Sequence, residues 1–134
     1  MKILVCLKEI IDPALSLDSG PAHGLVFREG LPRRLNPYDA AALAISLALA
    51  PGEAEITAAS IGDEGAEIYL RNALAIGADR AVRIWDDDFN DLSPYRKALL
   101  LSSLAAACGT DLVLAGAKSL DTGNGQVGPL LAAT

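Results

Sequence analysis

The chain has 134 residues, 51% hydrophobic and 21% charged, with 17 acidic side chains against 11 basic ones and a formal charge of −6. One domain of that size and apolar share can bury a core, which excludes intrinsic disorder. The acidic balance and an aromatic content of only 4% supply neither a basic stripe nor stacking platforms, which argues against nucleic acid or an anionic membrane surface as partner; the longest apolar run, residues 40–50, is well short of the roughly 20 needed to cross a bilayer.

Residues 2–8 open the chain with Ile3-Leu4-Val5-Cys6-Leu7 between two lysines, the compact apolar run of a buried parallel strand. The run is too short for the apolar region of a signal peptide and no small-residue cleavage pattern follows it, so a cytoplasmic protein is expected. Comparable runs at residues 54–61, 80–85 and 111–117 are separated by helical patterns. Asn36 is placed to cap the first helix, with Pro37 at its first position, Asp39 in its first turn, a body at residues 40–50 and a stop at Pro51-Gly52. The second helix begins near Asp63-Glu64, sets Ala66, Tyr69, Leu70, Ala73 and Leu74 at three- and four-residue spacing, and ends at Gly77. Ser93 and Pro94 open a third that stops at Gly109, and a fourth opens near Gln126 and runs on to Thr134.

Parallel neighbours cannot be joined by tight hairpins, so this alternation predicts right-handed crossovers. The expected fold class is α/β: a single domain with an open, mainly parallel twisted sheet and helices on both faces, three layers in all. Residues 12–35 interrupt the alternation with Pro13, Gly20, Pro21, Gly24, Gly30 and Pro32, and Leu15-Ser16-Leu17 with Leu25-Val26-Phe27 around a Gly/Pro-rich turn predict a small hairpin after the first strand.

Open parallel sheets hold ligands at the carboxyl ends of their strands. The loops that fall there are the segment after Lys8, Asn36-Pro37-Tyr38-Asp39, Ser60-Ile61-Gly62-Asp63, and residues 118–128. Gly123, Gly125 and Gly128 spell G-x-G-x-x-G, but that fingerprint belongs directly after a first strand, with an acidic residue about 20 positions on, and neither condition holds. Two readings remain for the loop: an anion site in which backbone amides and a helix N-terminus face a phosphate, or a simple glycine-rich turn. Other chemistry is thin. His23 has no partners for a catalytic triad. Asp86, Asp87, Asp88 and Asp91 lack the glycine and closing glutamate of a calcium loop and read as a solvated acidic turn. Cys6 and Cys108 show no CxxC or ligand-spaced histidine and read as reduced, structural thiols. Neither a catalytic residue nor a metal site is expected.

Taken in order, Lys2-Ile3-Leu4-Val5-Cys6-Leu7-Lys8, Asn36-Pro37-Tyr38-Asp39, Leu70-Arg71-Asn72-Ala73-Leu74-Ala75-Ile76-Gly77-Ala78-Asp79-Arg80-Ala81, Leu112-Val113-Leu114-Ala115-Gly116 and the closing Gln126-Val127-Gly128-Pro129 resemble the β subunit of an electron transfer flavoprotein, and the agreement extends over the whole chain. The resemblance implies an adenine-nucleotide-binding domain with no bond-making residue of its own. It implies a heterodimer with an α subunit that holds an FAD, dehydrogenase donors, and a quinone reductase or a ferredoxin- or flavodoxin-type acceptor. For the chain's own site it implies AMP, as in ordinary members, or a second FAD, as in electron-bifurcating and nitrogen-fixation-associated members.

The matching positions are Cys6, Asn36, Pro37, Tyr38, Asp39, Ile61, Asp121, Thr122, Gly123, Asn124, Gly125, Gln126, Val127, Gly128, Pro129 and Leu130. Asn124, Gly125, Gln126 and Val127 would present donors to a phosphate, Cys6 and Ile61 would meet an adenine edge, and Asp39 and Asp121 would accept from ribose hydroxyls or orient loop amides. The closing Gln-Val-Gly-Pro resembles the FAD branch, whereas Asp121-Thr122-Gly123-Asn124-Gly125 departs from its usual Asp-Gly-Asp-Thr-Ala, so AMP and FAD both stay open. The family's subunit continues past the equivalent of Thr134, so the chain is expected to match its N-terminal portion, or to be a short member. Two alternatives come from other classes: a homodimeric, universal-stress-protein-like ATP- or AMP-binding domain, and an interaction-only domain with an eroded site.

Overall fold

The structure is a computed structural model that describes residues 1–14, 30–49, 52–89 and 92–134. Along the chain the elements are β1 (Lys2–Cys6), β2 (Glu9–Ile11), β3 (Arg33–Leu35), α1 (Pro37–Leu49), β4 (Glu55–Ile61), α2 (Glu67–Ala75), β5 (Arg80–Ile84), α3 (Pro94–Cys108), β6 (Leu112–Ala115) and α4 (Val127–Ala132). Four strands form one sheet in the order β5-β4-β1-β6, and every neighbouring pair is parallel. Lys2 to Cys6 face Glu55 to Ala59 on one side, and Ile3 to Cys6 face Leu112 to Ala115 on the other. The α/β class and parallel sheet are therefore as the alternation of patterns predicts.

Because side chains alternate across a strand, β1 feeds two cores. Ile3, Val5 and Leu7 pack with Ile56 and Ala58 against Ala42 and Leu43 of α1 and Leu70 and Ala73 of α2. Leu4 and Cys6 pack with Ala59 against Leu101 of α3, with Val127 and Leu131 of α4 at the margin. Leu4 and Val5 are wholly buried, and each such side chain contributes about 1.5–3 kcal/mol of transfer free energy. These two layers fix β1 as the rigid central strand from whose end the site is built.

The helix boundaries follow local chemistry, with three departures. The Ser93 hydroxyl accepts from the Arg96 N–H at 3.4 Å, Pro94 stands in the first turn of α3, and Gly109 leaves that helix in a left-handed conformation. Asn36, expected to cap α1 with its side chain, instead donates from Nδ2 to the Lys118 carbonyl at 2.9 Å and accepts the Leu120 N–H on Oδ1 at 3.3 Å. A 3-10 turn at Glu64–Ala66, capped by the Asp63 carboxylate, precedes α2. Finally, α4 ends at Ala132 and does not reach Thr134, and Gln126 makes no side-chain cap bond.

β2 and β3 form a two-stranded antiparallel ribbon, Glu9 opposite Leu35 and Ile11 opposite Arg33, outside the main sheet. Three residues per strand are too few to show an alternating pattern, which is why neither is visible in the sequence. The hairpin expected at residues 15–17 and 25–27, together with His23 and Asp91, lies outside the described residues. Asp86, Asp87 and Asp88 occupy an exposed turn in which the Asp86 carboxylate accepts the Asp88 N–H at 3.0 Å. Both cysteines are free thiols. Among the described residues no helix is long and apolar enough to cross a membrane, and no group of three or more His, Cys, Asp or Glu could hold a metal ion.

Candidate functional site

From β1 the chain runs outward to β4 and β5, and α3 then returns it to β6 on the opposite flank of β1. Loops leaving β1 and β6 therefore diverge at the carboxyl edge, and a crevice opens at that switch point. Its apolar floor is Cys6 at the end of β1 and Leu7 just after it, Ala59 and Ile61 of β4, Leu101 of α3 and Ala115 of β6. Its polar walls are Lys8, Asn36 and Asp39 on one side, residues 116–119 with Thr122 and residues 124–128 on another, and Pro94 and Lys97 of α3 on a third. The enclosed volume is about 150 Å³, less than the roughly 300–1,000 Å³ of sites that swallow a whole ligand. That is room for one moiety of a ligand, and a larger molecule would extend over its mouth.

The walls are tied together by buried polar groups. Asp39, 6% exposed, accepts the Lys8 N–H on Oδ2 at 2.8 Å and the Gly116 N–H on Oδ1 at 3.0 Å, clamping the ends of β1 and β6 to the first turn of α1. Burial pushes its carboxyl above the usual carboxylate value, against the opposing pull of the Asn36 side chain, the two amides and the Lys8 charge. The approach at Gly116 is so close that a Cβ there would lie 2.7 Å from Tyr38 Cβ and 2.9 Å from the Tyr38 carbonyl carbon. Only glycine fits.

The last loop has its own frame. Lys8 Nζ donates to Asp121 Oδ1 at 2.8 Å, to Oδ2 at 3.1 Å and to Ser119 Oγ at 3.1 Å. Asp121 Oδ1 also accepts the Thr122 N–H at 2.8 Å, and the Ser119 carbonyl accepts the Gly123 N–H at 2.8 Å. Burial presses the Asp121 carboxyl upward, but the Lys8 hydrogen bonds and charge, with Ser119 and the Thr122 amide, overcome it and hold the group below the usual range. Burial also pushes the Cys6 thiol up to about 12, with the Asp39 charge adding to the effect, so it meets the crevice as a neutral, weakly polar surface.

Beyond this frame the chain turns through Gly125 at φ 59°, a left-handed conformation that other L-residues adopt only at a cost. The amides of Asn124, Gly125, Gln126, Val127 and Gly128 find no acceptor among the described residues, and all five residues line the crevice. A run of unpaired donors at the mouth of an apolar cleft is suited to an anionic group attached to an apolar one.

Of the residues singled out in the sequence, the crevice brings together Cys6, Asn36, Asp39, Ile61, Thr122, Asn124, Gly125, Gln126, Val127 and Gly128. Pro37, Tyr38, Asp121, Gly123, Pro129 and Leu130 are not on its wall. Asp121 stands behind it, bonded to Lys8, and the Tyr38 ring lies 6.0 Å from Lys118 Nζ. Sequence reasoning missed Lys97 and Pro94. The signal was present, since a helix that follows a parallel strand begins at the carboxyl edge of the sheet, and the Ser93-Pro94 start places Lys97 one turn inside it.

A doubly wound parallel sheet with its crevice at the topological switch, walled by a glycine-containing loop and helix starts, defines the class of ligand-binding open α/β domains. The model of the electron transfer flavoprotein domain matches residues 24–134, and the chain belongs to that family. It is 36% identical to the electron transfer flavoprotein subunit beta of Megasphaera elsdenii over 141 residues, which cover 98% of this chain and 52% of that protein. Protein FixA of Azorhizobium caulinodans is 36% identical over 138 residues, 98% of this chain and 49% of the relative. Subunit CarD of the caffeyl-CoA reductase-Etf complex of Acetobacterium woodii is 36% identical over 137 residues, 98% and 51% respectively. The chain is β-subunit-like within this family and spans about half the length of the curated relatives it matches.

Proposed function

We propose that the crevice holds the adenylate part of AMP or FAD, and that the chain acts as the nucleotide-holding portion of an electron transfer flavoprotein β-subunit-like component. The observation that carries this is the run of five amides, Asn124 to Gly128, that find no acceptor among the described residues, beside a floor of Cys6, Ala59 and Ile61. An adenine edge meets the strand ends, a phosphate accepts from the amides of 124–128, and Asp39 and Asp121 orient loop amides. Both oxygens of each carboxylate are already engaged by protein donors, which favours orientation over direct contact with a ribose.

In this reading no bond-making step is assigned to any of the described residues. A flavin, where bound, supplies the electron-carrying chemistry, and the protein supplies binding and surroundings. The names of the relatives support electron transfer in company with an α subunit; a heterodimer, dehydrogenases as donors and a quinone reductase or a ferredoxin- or flavodoxin-type protein as acceptor are part of the proposal and rest on the family resemblance alone. The test is to denature the purified protein and identify the released small molecules by mass spectrometry. AMP or FAD released near stoichiometry is expected; a protein that releases neither and also shows no heat of binding with either is not a nucleotide carrier.

A further inference from the structure

Lys8 makes three kinds of contact at once. Its N–H is held by Asp39 Oδ2 at 2.8 Å, its carbonyl accepts the Asn36 N–H at 2.9 Å, and its ammonium reaches Asp121 and Ser119 in the last loop. A lysine on the wall of a proposed phosphate site is ordinarily read as the phosphate's counter-ion. The pairing of its charge argues against that here. An ammonium has three N–H donors and no acceptor; both Asp121 carboxylate oxygens lie at 2.8 and 3.1 Å and balance its charge, and Ser119 Oγ at 3.1 Å engages it from the same loop.

The partners of Lys8 are themselves linked into the loop. Asp121 accepts the Thr122 N–H, Ser119 Oγ and Thr122 Oγ1 are 2.7 Å apart, and the Ser119 carbonyl accepts the Gly123 N–H. We propose that Lys8 is a positioning residue: it braces residues 118–123 against the end of β1 so that the amides of residues 124–128 face the crevice, and its charge neutralises Asp121 and not the ligand. The inference rests on the nucleotide site proposed above and names the residue that shapes it.

The two roles predict opposite signs for one substitution. If Lys8 were the counter-ion, Asp121→Asn would release it toward the phosphate and tighten AMP binding. If Lys8 braces the loop, Lys8→Met and Asp121→Asn remove the same strut. Each then weakens AMP binding by about threefold to tenfold, as expected for a half-exposed, charge-assisted pair. The double variant binds no worse than the weaker single one, because the two act as a unit. Lys8→Arg, which can still pair with a carboxylate, recovers most of the affinity.

Calorimetric titration with AMP reads these affinities. Amide hydrogen exchange at Leu120, Thr122 and Gly123, recorded without nucleotide, reads the strut independently and is faster in Lys8→Met and Asp121→Asn alike. A wild-type protein that binds neither AMP nor FAD sinks the nucleotide site while the exchange data still report on the strut. Tighter AMP binding in Asp121→Asn, or unchanged exchange in Lys8→Met, overturns the proposal.

Discussion

Gly116→Ala is the sharpest single perturbation of the clamp that joins β1, α1 and β6. The added methyl would sit 2.7 Å from Tyr38 Cβ and 2.9 Å from the Tyr38 carbonyl carbon, and it would also press on the Asp39 carboxylate. Backbone and a Cβ are not the far ends of flexible chains, so relief requires the first turn of α1 to move away from β6. Overpacking of this kind costs about 1–3 kcal/mol. Moving the turn stretches the 3.0 Å bond from the Gly116 N–H to Asp39 Oδ1, and a buried hydrogen bond to a charged group is worth about 1.5–3 kcal/mol. The two losses trade against each other as the site relaxes, so the net expectation is about 2–4 kcal/mol, a large share of the roughly 5–15 kcal/mol by which domains are stable. Urea unfolding followed by circular dichroism measures this as a fall in midpoint at constant slope. A Gly116→Ala protein within about 0.5 kcal/mol of wild type, the usual range of a surface change, would show that β6 does not press on α1 as described.

Two further outcomes follow from titrating groups. Asp121 has a folded-state pKa below its ordinary value of 3.8, so the unfolded chain binds that proton more tightly. The stability its pairing contributes is thus fully present above 3.8 and is lost as the pH falls through the lower folded value. The lead of wild type over Asp121→Asn in urea midpoint should be constant above about pH 5 and shrink on acidification; an undiminished lead at about pH 2 contradicts the assignment. Cys6, buried and with its thiol pushed up to about 12, should resist iodoacetamide at pH near 8 until the protein unfolds, whereas the less buried Cys108 alkylates first. Equal rates at the two sites by peptide mapping would contradict the placement of Cys6 on the crevice floor.

What the sequence by itself determined is what chain neighbours decide. The Ser93-Pro94 start and the Gly109 stop of α3 depend on bonds spanning three or four residues, so their chemistry is complete within a short window. The apolar runs of β1 and β4 likewise announce burial on both faces and hence a parallel sheet, and the glycines and helix start near Gln126 single out the last loop while leaving an anion site and a simple glycine-rich turn both open. The tertiary structure decided which distant groups meet. Asn36 has the composition of a helix cap, yet its side chain serves Lys118 and Leu120, because the fold brings a loop with an unpaired carbonyl and amide within reach. Asp39 is claimed by Lys8 and Gly116, and Lys8 by Asp121, across separations of 31, 77 and 113 residues. The last two pairings depend on β6 returning to the flank of β1. That placement is a property of the sheet's strand order, set by the packing of both cores together, and no local pattern encodes it.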